Sequence, residues 1–130
     1  MIAFLIFSTL SCYAQDNTGN GSGVIREKMV EYIQDRLGLS KPEAERFTPV
    51  FMEYFKELRN TTKEYHGDPL VMQQKIVDLR LRYRDQFKPI LGERRSNDVF
   101  VYERDFIQKI RDIRNERLEN RLDGRANKRF

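Results

Sequence analysis

The chain has 130 residues, of which 39% are hydrophobic and 34% are charged, enough for one small domain and too few for two ordinary ones. Lys and Arg number 24 and Asp and Glu number 20, so the charge predicts salt-bridged helix surfaces before it predicts a nucleic-acid binder. The single cysteine and the single histidine exclude an intramolecular disulfide and the common zinc sets. Six Tyr and nine Phe residues indicate that the chain folds.

The first part of the chain reads as a targeting signal. Residues 2–10 are almost wholly apolar, and the small residues before Gln15 predict signal-peptide cleavage after Ala14, with residues 1–14 removed. The apolar run is far shorter than the roughly 20 residues that span a bilayer. Leu10-Ser11-Cys12 also partly matches a lipoprotein box, which leaves a lipid anchor at Cys12 as the alternative. Either alternative places the mature protein outside the cytoplasm, and residues 15–24 then predict a polar, Gly-rich flexible linker.

A single helical domain is predicted over residues 25–123. The first helix carries one apolar stripe with a spacing of four, and Gly38 is positioned to end it; the stripe consists of Ile25, Met29, Ile33 and Leu37. Ser40 and Glu43 form a capping box that starts the second helix, which ends at His66-Gly67. Pro49 is expected to kink this helix.

Two further helices complete the prediction. Asp68 as N-cap and Pro69 at the first helical position begin the third, and Pro89 and Gly92 interrupt it. The last helix follows the apolar residues Val99, Tyr102, Phe106, Ile110 and Ile113, fades through Leu118 and Leu122, and leads into a polar tail over residues 124–130. Period-two alternation typical of strands is absent outside very short windows, so the predicted fold class is all-α with four helices.

The residues supply little for catalysis. His66, between Glu64 and Asp68, lies in a His-Gly-Asp-Pro string that is typical of a turn rather than of a metal or acid-base site. No second histidine or mature thiol completes a nucleophile-and-base set, and no Gly-rich phosphate loop occurs. The sequence therefore predicts a non-enzymatic protein with no catalytic residues, no metal site and no cofactor.

Two ridges of basic residues border apolar stripes. In the last helix the ridge lies opposite an acidic face formed by Asp105, Asp112, Glu116, Glu119 and Asp123. One interpretation is that the long cationic side chains cover the margin of a core. The other is a basic rim around exposed apolar surface that binds polypeptides. The candidate binding residues are Arg80, Arg84 and Lys88 in the third helix and Arg111, Arg114, Arg117 and Arg121 in the fourth.

The second helix carries an aromatic stripe, which also allows two interpretations. The stripe consists of Phe47, Phe51, Tyr54, Phe55 and Tyr65. Such a stripe is more often core, but thin helices have little interior, and the aromatic residues exceed what a monomer of this size is expected to bury. A homodimer would cover the excess.

Several segments resemble one family. Residues 39–44 (LSKPEA) and 47–54 (FTPVFMEY) resemble the LTPEEA and FxPVYxEY opening of small periplasmic proteins related to Spy and CpxP, some of which are sensors of extracytoplasmic-function sigma factors. Residues 83–95 and 102–106 are similar to the second half of that pattern. The family's LTxxQ hallmark corresponds to residues 39–43 and 91–95, each without the glutamine. The motif positions are Leu39, Ser40, Glu43, Phe47, Pro49, Tyr54, Leu91 and Phe106.

The resemblance implies a helical-hairpin protomer, a cradle-like antiparallel homodimer, and a concave face that holds unfolded clients without ATP or restrains a signalling partner. The leading hypothesis is a periplasmic polypeptide-binding protein, either a chaperone or a modulator of envelope stress. The second is a dedicated sensor that binds one membrane signalling partner. Nucleic-acid binding is suggested only by the basic isoelectric point, and the interleaved acidic residues argue against it.

Overall fold

The structure, a computed structural model, describes residues 20–128. It contains three α-helices: α1 (Asn20–Leu37), α2 (Lys41–Glu64) and α3 (Pro69–Asn127). The all-α prediction is confirmed. The count of four helices is not, because the predicted third and fourth helices are the two parts of α3, which is kinked at Gly92 with no intervening loop. The predicted signal peptide and Cys12 lie outside the described residues.

Two helix ends differ from the sequence prediction. α1 begins at Asn20, so residues 20–24 of the predicted linker are helical. α3 continues to Asn127, so most of the predicted polar tail is helical as well. Turn-forming glycines and fading apolar periodicity predict shorter helices, but neither prevents a helix from extending by its own backbone hydrogen bonds. These additional turns lengthen both elements at the same end of the molecule, where Val24 of α1 lies near α3.

The α1–α2 turn follows the predicted chemistry. Gly38 has a left-handed φ of 62°, and the Gly38 and Leu39 amides donate to the carbonyl oxygens of Asp35 and Gln34, both at 3.2 Å. This is a Schellman motif, in which glycine ends a helix without a Cβ penalty. The capping box is confirmed: Ser40 Oγ accepts from the Glu43 amide at 3.3 Å, and Glu43 Oε1 accepts from the Ser40 amide at 3.0 Å.

The second connection is equally local in origin. α2 continues through Pro49 to Glu64, and His66 lies in the following turn, as predicted. Asp68 Oδ1 accepts from the Val71 amide at 3.3 Å and caps α3, with Pro69 at the first helical position. At the kink in α3, Gly92 has φ 81° and ψ 173°, a conformation open essentially only to glycine.

The core is a row of aromatic rings between α2 and α3 that pack against one another in tilted or edge-on arrangements. Phe47 lies 5.2 Å from Phe87 between ring centroids, Tyr54 lies 5.3 Å from Tyr83, and Phe100, beyond the kink, lies 5.6 Å from Tyr54. α1 covers this row with Met29, Val30, Ile33 and Leu37, which are all buried. Every Phe and Tyr side chain of residues 23–128 is buried or half-buried. The aromatic stripe is therefore core, and the aromatic residues of the described chain give no argument for a dimer.

Candidate functional site

The end of α3 extends beyond the core. Every residue from Arg111 to Lys128 is exposed, whereas Phe106, one turn before, is 8% exposed. We call residues 111–127 the α3 extension. The start of α1 lies beside its first turns, and the space between the two helices is an open groove of about 680 Å³. The groove is lined by Val24, Ile25 and Lys28 from α1 and by Phe106, Ile110, Ile113, Arg114, Arg117, Leu118 and Arg121 from α3.

The lining of the groove combines apolar and cationic side chains because of the helical register of α3. A rotation of about 100° per residue places Arg117 and Arg121 in line with Phe106 and Ile110. The face of α3 that packs in the core therefore changes from apolar to arginine as it leaves the core. Ile113 and Leu118, which are 46% and 50% exposed, lie on either side of the arginines.

The basic ridge of the fourth predicted helix lies at the groove. Arg114, Arg117 and Arg121 line the groove, and Arg111 lines an adjoining smaller groove next to Ile107. The ion pairs formed by the described side chains involve other cations, including Lys28 of the groove, whose Nζ lies 3.7 Å from Glu31.

The cations of the third predicted helix have partners within the protein instead. Arg80 donates to the Tyr54 hydroxyl at 3.3 Å and to Glu103 at 2.9 Å. Lys88 Nζ lies 3.4 Å from Asp85, and Arg84 Nη1 lies 3.5 Å from Asn97 Oδ1. The structure therefore brings together only the fourth-helix members of the predicted binding set.

Two other surface grooves of the described residues carry charges of both signs. One of 590 Å³ is lined by Glu57, Glu64 and Asp78 together with Lys75 and Arg82, and one of 350 Å³ combines Glu53 with several cations. The groove beside the α3 extension is different because all of its charged lining residues are cations. A surface of one charge sign selects a partner of the opposite sign.

A buried polar contact joins the two parts of α3 to α2. Glu103 is 1% exposed, and its Oε1 accepts from Arg80 Nη2, which lies on the other side of the Gly92 kink. Burial is the main cause that raises the pKa of Tyr54, and the neighbouring Glu103 carboxylate adds to it. Sequence reasoning missed Glu103. Its signal was position, since Val99, Glu103 and Phe106 share one helix face and both neighbours are apolar core residues.

A second junction surrounds Arg95, which sequence reasoning also missed. Its Nε donates to the carbonyl oxygen of Leu91 at 2.9 Å, next to the kink, and its guanidinium pairs with both carboxylate oxygens of Glu43. Most of the family-motif residues have a structural position. Three lie at the α1–α2 turn: Leu39, Ser40 and Glu43. Four are buried: Phe47, Tyr54, Leu91 and Phe106. Pro49 is exposed on α2. In this structure the motif residues support the fold and lie mostly outside the groove.

Acid is expected to destabilise the protein through Glu43. The hydrogen bond from Arg95 is the largest cause that lowers the pKa of Glu43, from its ordinary 4.5 to about 2. The folded state therefore favours the carboxylate, so this stabilisation is present above pH 4.5 and is lost as the pH falls towards 2. We expect Glu43→Gln to unfold at lower urea than the wild type at pH 7, with a difference that shrinks at pH 3. Glu45→Gln, at an exposed neighbouring position, is the control. A Glu43→Gln variant whose stability falls with acid as steeply as that of the wild type would contradict the assignment.

Residues 20–128 show no group of three His, Cys, Asp or Glu side chains placed to hold a metal ion. His66 is exposed, and its Nδ1 lies 2.9 Å from the carbonyl oxygen of Lys63 within its turn. Within the same part of the chain, no helix is long and apolar enough to cross a membrane.

Comparisons with models of protein families, with curated proteins and with solved structures found no match to this chain.

Proposed function

We propose that this chain is an extracytoplasmic, non-enzymatic protein that binds other polypeptides without ATP, as a chaperone or a modulator of envelope stress of the Spy and CpxP type. The observation that carries the proposal is the groove beside the α3 extension, where exposed apolar side chains lie on either side of arginines. The predicted signal peptide and the motif resemblance support a periplasmic location and this family type. The proposal includes a homodimer. It includes no nucleic-acid partner, no bound metal and no cofactor.

The groove suggests how a client is caught and held. The arginines of the groove attract acidic segments from a distance, because exposed charges act over roughly 10 Å at 0.1 M salt. Its apolar residues then retain the segment by removing its apolar surface from water. Salt weakens the first step and leaves the second, so client binding falls with ionic strength without vanishing.

The experiment measures suppression of aggregation of an unrelated unfolding protein, without ATP, at low and at high salt. We expect protection at near-stoichiometric amounts. Combined replacement of Arg114, Arg117 and Arg121 by Gln is expected to weaken client binding about tenfold at low salt, since three exposed pairs contribute about 0.5 kcal/mol each. Glutamine preserves helix propensity, so the variant should keep its helix content by circular dichroism.

The matched control replaces Arg46, Arg94 and Arg104 by Gln. These three arginines are exposed and lie outside the groove, so this variant has the same change in net charge without a change in the groove. Equal weakening by both triple variants would show that net charge, and not the groove, governs binding. Unchanged binding in the groove variant would contradict the proposed mechanism directly.

A second candidate is a regulatory protein that binds one membrane signalling partner, in a pathway of extracytoplasmic-function sigma factors. The size of the groove favours it, because about 680 Å³ accommodates one short segment rather than a long client chain. This candidate predicts no protection in the aggregation assay and one saturable partner in a pull-down from envelope extracts. A chaperone predicts protection and many weak partners.

A further inference from the structure

We propose that the groove beside the α3 extension receives one acidic amphipathic helix of a partner polypeptide, which packs against α1 and α3. This inference rests on the proposed function and specifies its ligand. The lining of the groove, its length and the distribution of charge around α3 each bear on it.

The lining favours a helical segment over an extended one. Val24 and Ile25 of α1 and Ile110 and Ile113 of α3 present apolar side chains, while both helices satisfy their own backbone hydrogen bonds. A strand placed there would find no sheet edge and would leave its amide and carbonyl groups unpaired against an apolar surface. A helix pairs these groups internally and needs to offer only an apolar face, as in other helix-in-groove complexes.

The length of the groove fits a segment of about four turns. Its lining on α3 runs from Phe106 to Arg121, and 15 steps along a helix cover roughly 22 Å at 1.5 Å per residue. Arg114, Arg117 and Arg121 follow one another at intervals of three and four residues, which is one cation per turn. A partner helix with one carboxylate per turn beside its apolar face would match this series.

The charge distribution argues against a second copy of this chain as the symmetric occupant. A two-fold interface brings the same surface of both copies together, so the arginine series of one copy (Arg114, Arg117 and Arg121) would face the same series of the other. Such like-charge contacts are costly. The acidic side chains that could neutralise them lie on roughly the opposite face of α3 and do not line the groove: Asp112, Glu116, Glu119 and Asp123. The partner that the groove fits is therefore a different polypeptide with an acidic face.

The test uses three synthetic peptides of 18 residues and the protein expressed from its full sequence. The first peptide places Leu on one helical face, with Glu on both flanks. The second has the same composition in an order that forms no apolar face, and the third places Pro in the centre of the first. Fluorescence anisotropy measures the dissociation constants. We expect the first peptide to bind about tenfold more tightly than either of the other two. Replacement of Arg114, Arg117 and Arg121 by Gln is expected to weaken its binding about tenfold, whereas replacement of Arg46, Arg94 and Arg104 is not.

Hydrogen exchange gives a readout beyond affinity. The first peptide is expected to slow amide exchange in residues 111–121, because its contacts stabilise an exposed helix against local opening. Exchange in the core, for example around Phe87, should be unchanged. Protection spread evenly over the chain, or absent from the α3 extension, would place the peptide elsewhere and overturn the proposal.

The alternative occupants have outcomes of their own. Equal binding of all three peptides, or no binding together with intact suppression of aggregation, overturns the helix proposal and leaves the proposed function standing. Failure of both assays removes both. Binding to anionic phosphatidylglycerol vesicles that exceeds peptide binding, and that the groove variant loses, would make the groove a lipid site. Self-association in sedimentation that the groove variant loses would make it a dimer interface.

Discussion

Replacement of Arg80 by Met is expected to lower the free energy of unfolding by about 3 kcal/mol, the lower end of the cost of breaking a buried ion pair. Glu103 is 1% exposed, and its Oε1 accepts from Arg80 at 2.9 Å, so the substitution leaves a buried carboxylate without its cation. The Arg80 side chain is 38% exposed, which is why the lower end applies. Urea unfolding monitored by circular dichroism measures the loss.

Two further variants separate the ion pair from other effects. Arg80→Met combined with Glu103→Leu removes both charges and is expected to recover most of the lost stability, because apolar replacement of a whole buried pair is often neutral or stabilising. Arg84→Met, four residues further along α3, is the matched control, with an expected loss of less than about 1 kcal/mol. Arg80→Met with unchanged stability but weakened polypeptide binding would contradict the structural role and return Arg80 to the binding set.

Local chemistry explains why the helix starts could be predicted from the sequence. Ser40 and Glu43 at α2, and Asp68 at α3, accept hydrogen bonds from backbone amides only a few residues away. Pro69, at the first helical position, has no amide N–H that needs a partner. Gly38 is a similarly local signal at the end of α1. Each of these signals needs no knowledge of the rest of the fold, so the sequence alone contains it.

The kink in α3 could be predicted from the sequence only in part. Pro89 and Gly92 together predicted an interruption, but only Gly92 leaves the helical conformation. A proline removes one backbone hydrogen bond, whereas the φ of 81° at Gly92 changes the chain direction. The contacts that hold the kink come from distant residues: Arg95 reaches Glu43 of α2, and Arg80 reaches Glu103 across the kink. A local pattern cannot contain such pairs.

The two basic ridges could not be told apart from the sequence for a related reason. Both basic ridges border apolar stripes in the sequence, and their local patterns are alike. Their difference arises from what packs nearby: α2 supplies Tyr54 to Arg80, whereas only the first turns of α1 lie beside Arg114 and Arg117. Helical periodicity identifies a face, and the tertiary neighbour decides whether that face is covered.

Replacement of Phe87 by Ala is expected to lower the free energy of unfolding by about 3–5 kcal/mol, as for other buried phenylalanines. Phe87 is 0% exposed, and its ring lies 5.2 Å from that of Phe47 on α2 and 6.1 Å from that of Phe100 beyond the kink. Truncation therefore opens a cavity where α2 meets both parts of α3. For a domain of ordinary stability, about 5–15 kcal/mol, this is a large fraction of the total.

Two further variants, Phe87→Leu and Ile113→Ser, test whether the aromatic row is core or binding surface. Phe87→Leu keeps most of the volume and is expected to cost less than Phe87→Ala, whereas Ile113→Ser in the groove should leave stability nearly unchanged, since that side chain is 46% exposed. Polypeptide binding is expected to show the reverse order: Ile113→Ser weakens it, and Phe87→Leu does not. A stable Phe87→Ala variant with weakened binding would mean that the aromatic row, and not the groove, meets the client.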